Sequence, residues 1–279
     1  MPCGVCPRCR LNRQRDWTFR LSYERDASDF VFWLTLTFDD EHLPQVLSSE
    51  KAAREPSRHF FESIRKHYGS KLQVKHYLVS EYGDTTDRWH HHCLLFVRCP
   101  GSSTDEIATL RSDLYDYLCC NDWQKENKAW PYGGLRYEPL HAGVFPYVTN
   151  YVNKPEIIDP NHPHPIKPFT CISQGIGLDY LERIDKTNLV RTGDLSVFFN
   201  GSKKVLPRYY RSKLFSTSPA SVVHMREKLV NEKKAYNRLL KTASAYERDH
   251  SISYDEYRTH LAANEFRIYK EKLKKRKSL

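Results

Sequence analysis

Two histidines separated by one residue, His90 and His92, stand in the run Arg88-Trp89-His90-His91-His92-Cys93-Leu94-Leu95-Phe96. On an extended strand alternate side chains share a face, so His90 and His92 point together and His91 points away. Two imidazoles on one face are half of a divalent-metal site. A carboxylate completes it if the preceding strand pairs back as a hairpin, since Glu81 lies near that strand's end. Imidazole with carboxylate and water suits ions such as Mg²⁺ or Mn²⁺. The spacing is short enough to recur by chance: 13 histidines in this length give about half a His-x-His pair, and His162-Pro163-His164 is a second one. That pair sits among prolines, where no regular strand aligns the rings, and reads as a loop.

A second group is Tyr147, Tyr151 and Lys154. At about 100° per residue, Tyr151 falls near +40° and Lys154 near −20° of Tyr147, so a helix carries all three on one narrow stripe. One reading is a tyrosine helix packed on a sheet. The other is chemical: a phenolate attacks phosphorus and holds the product as a phosphotyrosine, provided a neighbouring cation offsets the resting pKa of about 10. Cys3, Cys6 and Cys9 form a third group, followed by Arg10 and Arg13. Three thiolates this close are candidate zinc ligands, although a closed site takes a fourth from elsewhere. A flexible N-terminus or a redox-labile cluster is the alternative.

The elements that must position these groups follow from periodicity. Val31–Phe38 is a dense β-branched and aromatic run, a core strand ended by Asp39-Asp40 and Pro44. Ser57–Tyr68 reads as an amphipathic helix capped by Ser57, and Thr104–Leu118 as a second one capped by Thr104. Val74–Tyr82 and His91–Val97 read as an antiparallel hairpin. Leu135–Leu140 is a strand and Gly143–Lys154 a helix stopped by Pro155. This order predicts an α+β fold with a central antiparallel sheet flanked by helices. Ser196–Phe215 resembles a hairpin turning at Asn200-Gly201, followed by an aromatic and basic stretch.

Net charge is +10 over 279 residues, and residues 221–279 hold fifteen Lys and Arg against eight Asp and Glu. A polyanionic partner is the first expectation. The basic C-terminal segment, rich in Lys, Glu, Ala and Leu, reads as one or two exposed helices, either simply solvated or tracking DNA. With 18 Tyr, 13 Phe and 5 Trp the chain has the means to build a core. No run approaches the roughly 18 apolar residues of a membrane span, which points to a soluble, intracellular protein without a membrane partner.

Taken in order, these motifs resemble the HUH superfamily of replication initiators, and more closely the replication initiation proteins of Microviridae of the gokushovirus type. The resemblance covers roughly residues 2–215: the Cys3/Cys6/Cys9 segment, Leu36-Thr37-Phe38-Asp39-Asp40-Glu41-His42-Leu43-Pro44, Ser80-Glu81-Tyr82-Gly83, the His90-His91-His92 triplet, Tyr147 to Lys154, Gly175-Ile176-Gly177 and Pro207-Arg208-Tyr209-Tyr210. It implies an RRM-like palm over 1–215 and a helical basic tail over 216–279. It implies His90, His92 and Glu81 as metal ligands, Tyr147 and Tyr151 as paired nucleophiles, and Lys154 assisting at the phosphate. The middle triplet position is usually hydrophobic and here is His91, so the register rests on the following Leu94-Leu95-Phe96. The implied activity is metal-dependent nicking and joining of single-stranded DNA, starting rolling-circle replication on supercoiled circular double-stranded phage DNA in the cytoplasm of the bacterial host. Arg10, Arg13 and Arg208 are then expected DNA contacts. A host polymerase and a host helicase are expected partners, because no Gly-x4-Gly-Lys-Ser/Thr phosphate loop occurs in the sequence. The competing class is a non-catalytic, zinc-stabilised DNA-binding protein.

Overall fold

In the computed structural model the described residues are 7–83, 85–119, 129–141, 143–150, 164–185 and 195–214, with 231, 253 and 256. Two compact units divide the chain, one formed by residues 20–179 and the other by 1–19 with 180–279. The expected tail over 216–279 lies outside the described residues apart from those three positions.

The larger unit is built on one sheet. Its strands are β1 (Phe30–Thr37), β2 (Gln73–Tyr82), β3 (Trp89–Arg98), β4 (Leu135–Glu138) and β5 (Thr170–Ile172), arranged β4-β1-β3-β2-β5. Every neighbouring pair is antiparallel, as the α+β reading predicts. The expected hairpin is β2 and β3, in register from Gln73↔Arg98 to Tyr82↔Trp89.

One sheet face is apolar. Phe32, Leu34 and Leu36 of β1, Leu78 of β2, and Trp89, Cys93 and Leu95 of β3 are buried there. They share a core with Phe60, Phe61 and Ile64 of helix α3 (Glu50–Tyr68) and with Leu114 and Leu118 of helix α4 (Thr104–Leu118). Each large apolar side chain so covered contributes about 1.5–3 kcal/mol. A short helix α2 (Leu43–Val46) precedes α3. The start of α3 differs from the expected Ser57: the helix begins seven residues earlier, capped by Ser49, whose hydroxyl accepts from the Ala52 amide at 3.1 Å. Pro56 lies inside it. The proline forgoes one backbone bond, but it is buried with Ala53 in line with Phe60 and Ile64, so core contact carries the helix through. Ser57 donates back to the Arg54 carbonyl at 2.8 Å. Helix α4 has the expected range, but its cap is Ser103, which forms a capping box with Glu106.

The other sheet face carries polar groups. Helix α1 (Pro7–Asp26) sends Glu24 onto it, fully buried. Glu24 accepts from Lys75 Nζ at 3.0 Å, from Arg98 Nη2 at 2.9 Å and from the Gly177 amide at 2.6 Å. Arg98 also pairs with Asp179, and Arg20 donates twice to the Ile176 carbonyl. The Gly175-Ile176-Gly177 motif is thus a turn read by α1: both glycines have φ of +72°, a conformation that costs glycine nothing. Helix α5 (Val144–Asn150) is the described part of the expected Gly143–Lys154 helix, with Val144, Phe145 and Val148 buried.

In the smaller unit, β6 (Ser196–Phe199) and β7 (Ser202–Val205) form the expected hairpin. Asn200 and Gly201 turn it with φ of +48° and +71°, as an Asn-Gly turn does. Phe199 packs on Phe19, and Tyr210 of helix α6 (Arg208–Leu214) packs on Phe19 and Tyr180. No described helix is long and apolar enough to cross a membrane.

Candidate metal centre and its tyrosine

The alternation of β3 does what the spacing predicts. His90 and His92 lie on the polar face, while Trp89, His91 and Cys93 lie in the core. Glu81 stands directly opposite His90 across the hairpin. Glu81 Oε1 is 3.4 Å from His90 Nε2 and 3.3 Å from His92 Nε2, and the two Nε2 atoms are 3.2 Å apart. Three donors about 2.1 Å from one small ion sit about 3.0–3.4 Å from each other, so the triangle fits a divalent cation. Among the described residues these three form the one cluster of ligating side chains. Glu81 and His92 are buried and His90 nearly so, which strengthens the pull on a cation.

Both imidazoles have an outer partner at Nδ1, and the one on His90 sets the tautomer that ligation needs. His90 Nδ1 donates to the Arg88 carbonyl at 3.0 Å, turning its Nε2 lone pair toward Glu81. His92 Nδ1 lies 3.1 Å from Thr35 Oγ1, and Thr35 is the β1 residue paired with His92. Such outer partners fix ring orientation and raise ligand basicity. Arg88 is itself anchored to the Phe38 carbonyl at 2.8 Å and to Asp40 at 2.7 Å.

The end of β1 is buttressed by the residues before β4. Trp130 Nε1 donates to the Thr37 carbonyl at 2.9 Å, and the Asp39 amide donates to the Tyr132 carbonyl at 3.0 Å. Only glycine fits at 133, where a Cβ would lie 2.5 Å from the Thr37 carbonyl oxygen and 2.7 Å from the Asp39 nitrogen. Beyond β1, His42 pairs with Asp39 at 2.8 Å, and the His42 backbone amide holds the Asp39 carboxyl below its usual pKa.

His91, the departure from a hydrophobic middle position, behaves as a hydrophobic residue. Its ring is fully buried, 5.1 Å from Phe38 and about 6 Å from Trp89, Trp130 and Phe169. Burial drives its pKa down to about 3, so it is neutral in the core. His164 of the second His-x-His pair lies on no strand; it stacks on Tyr82 at 3.8 Å and pairs with Asp87 at 2.8 Å.

Tyr147 comes to this candidate centre from α5. Its ring is 5.7 Å from the His92 ring and 6.0 Å from Trp33. The structure therefore brings together Glu81, His90, His92 and Tyr147. Tyr151 and Lys154 lie outside the described residues, as do Cys3 and Cys6. Cys9 and Arg10 are half-buried in α1, Arg13 is exposed there, and Arg208 is exposed in α6; all four belong to the smaller unit. Thr35 and Trp33 were not singled out in the sequence. The signal that would find Thr35 is the β1–β3 register, which places every second β1 residue beside a triplet histidine.

This arrangement meets a matching kinship. The profile of the family Replication-associated protein ORF2/G2P matches residues 31–156, from β1 through the metal centre and past Tyr147. Over that stretch the chain is similar to this family. It is 26% identical over 216 residues to replication-associated protein VP4 of Bdellovibrio phage phiMH2K, covering 75% of this chain and 66% of that protein. It is 25% identical over 222 residues to replication-associated protein ORF4 of Chlamydia phage 1, covering 77% and 53%. Replication-associated protein ORF2 of Spiroplasma virus 4 is 32% identical over 100 residues, covering 34% and 31%. The chain thus spans about half to two thirds of the length of the first two phage proteins. No solved structure matches it.

Proposed function

We propose that the chain initiates rolling-circle replication of a small phage genome by nicking and joining single-stranded DNA through tyrosine. The observation that carries this reading is the packing of the Tyr147 ring against His92, beside three converging ligand atoms. Kinship with phage replication-associated proteins supports the setting.

In this mechanism Glu81, His90 and His92 hold a divalent cation, Mg²⁺ or Mn²⁺, which supplies Lewis-acid polarisation of the scissile phosphate. The Tyr147 phenol loses its proton and its oxygen attacks phosphorus in line. The bond to the 3′ oxygen breaks, and that oxygen takes up a proton, leaving a 3′ hydroxyl and a 5′-phosphotyrosyl enzyme. Lys154, on the same helical stripe in the sequence, favours the phenolate by its charge. Tyr151, one helical turn from Tyr147 in the sequence, is the second nucleophile: it cuts the newly made origin copy while the first tyrosine holds the old end. The hydroxyl primes a host polymerase, a host helicase opens supercoiled circular double-stranded DNA, and the site of action is the host bacterial cytoplasm. Arg10, Arg13 and Arg208 contribute phosphate contacts.

The test is to incubate the full chain with Mn²⁺ or Mg²⁺ and end-labelled single-stranded DNA carrying the phage origin, then resolve covalent adducts on a denaturing gel. The reading expects an adduct mapped by mass spectrometry to Tyr147 or Tyr151, lost in the Tyr147→Phe/Tyr151→Phe double variant and in His92→Ala. Retained DNA binding with no adduct under either metal would replace this reading with the non-catalytic one.

A further inference from the structure

The β6–β7 ribbon of the smaller unit has two unlike faces. Phe199 turns inward onto Phe19, with ring centroids 4.8 Å apart. Phe198 turns outward and is 76% exposed, and Val205 on the same face is 67% exposed. Cross-strand pairing sets Phe198 beside Lys203 and Ser196 beside Val205, so the outward face is an aromatic flanked by a lysine. An isolated exposed phenylalanine is unremarkable, but the described stretch that carries this one has a single sign of charge. Residues 195–214 contain Lys203, Lys204, Arg208, Arg211 and Lys213 and no acidic residue. Lys203, Lys204, Arg208 and Lys213 are exposed.

An aromatic face bordered by a cation is the chemistry that takes single-stranded nucleic acid: a base stacks on the ring and Lys203 meets the adjoining phosphate. An apolar protein partner would use the phenylalanine and the valine but gains nothing from five like charges. The Asn-Gly turn supports the same use, because a tight two-residue turn fixes the ribbon and lowers the ordering cost of binding.

We infer that the β6–β7 ribbon is a single-stranded DNA contact made by residues other than those of the metal centre, with Phe198 as its stacking residue and Lys203 as its phosphate contact. The inference rests on the reading of the chain as a DNA-processing protein. It concerns a different set of residues from the nicking chemistry.

The experiment measures binding of the full chain to a fluorescein-labelled oligothymidylate by anisotropy, without added metal. Phe198→Ala weakens binding about 10-fold, as expected for one lost base–aromatic stack, and Phe198→Trp restores it. Lys203→Gln lowers the slope of log affinity against log salt by about 0.7. Phe198 is exposed, so its replacement leaves the thermal melt in place and a binding loss is not a folding loss. Wild-type affinity in Phe198→Ala would overturn the inference and assign the ribbon to a protein partner. The two readings fail separately: a Phe198→Ala binding defect in a protein that never forms an adduct keeps the ribbon and removes the nickase, while normal binding with a tyrosine adduct does the reverse.

Discussion

Replacing Thr35 by valine tests whether the metal centre depends on a residue that touches no metal. Thr35 sits opposite His92 in the β1–β3 pairing, with Oγ1 3.1 Å from Nδ1. Valine keeps the branched Cβ and nearly the same volume, so the strand and its packing survive. What goes is the hydroxyl that bonds Nδ1 and orients the ring with its Nε2 edge toward Glu81. A neutral hydrogen bond is worth about 0.5–1.5 kcal/mol, and outer partners of ligating histidines are typically worth about 10–100-fold in metal affinity. His90 retains its bond to the Arg88 carbonyl and Glu81 is untouched. The lower end therefore applies, about 10-fold, or about 1.4 kcal/mol. Titration of Mn²⁺ followed by the electron paramagnetic resonance of the free ion reads this directly, with a thermal melt to confirm the fold. Thr35→Ser keeps the hydroxyl and should bind Mn²⁺ as wild type does. Wild-type affinity in Thr35→Val, or equal weakening in Thr35→Ser, would show that the hydroxyl does not orient His92.

Two further outcomes follow from buried polar groups. Glu24→Ala takes the shared buried carboxylate from Lys75 and Arg98, which then keep the Gly175 carbonyl and Asp179, and removes the acceptor of the Gly177 amide. Because both cations keep some exposure, the loss lies near the low end for a broken buried pair, about 3 kcal/mol, read from urea midpoints; a change below about 1 kcal/mol would refute the network's role. His76 stacks on Phe61 at 3.6 Å, and burial, aided by Arg65, lowers its pKa to about 4. The unfolded chain protonates this histidine near pH 6.5, so between pH 6.5 and 4 the unfolded state binds the extra proton and stability falls as pH falls. The contribution is complete above pH 6.5 and is lost at up to about 1.4 kcal/mol per pH unit below it. Urea unfolding between pH 6.5 and 5 should show a shallower slope in His76→Leu than in wild type, and parallel slopes would remove His76 as the cause.

What the sequence made legible was governed by periodicity. The face shared by His90 and His92 follows from alternation, and the apolar run after them set the register, so even a histidine at the middle position did not mislead. Tyr147 lies on a helix, as its segment predicts, and packs on His92, while the rest of its stripe lies outside the described residues. Contacts set by pairing between distant segments were not legible. Thr35 meets His92 across 57 residues, and Glu24 meets Gly177 across 153. Helix α1 went unread because its sequence, PRCRLNRQRDWTFRLSYERD, offers no clean apolar stripe; its buried anchor is a carboxylate. Strand β5, three residues long, is below the length at which alternation can be seen. The start of α3 was misplaced because Pro56 reads locally as a boundary, whereas the packing of Ala53 and Pro56 with the aromatic residues of α3 decides otherwise.

The two-sidedness of β3 has a consequence for how this gene tolerates change. Within ten residues, positions 89, 91, 93, 95 and 97 serve the core, and positions 90 and 92 belong to the candidate ligand cluster. Over positions 89–93 a saturation scan should oscillate with a period of two, and beyond them, where Leu94 and Phe96 are also buried, it should not. Substitutions at the odd positions would lower the amount of folded protein, and those at 90 and 92 would leave abundance intact while abolishing function. A single-codon deletion anywhere before His90 in the strand exchanges the two roles at once, so lesions of length should be purged more strongly here than any lesion of identity.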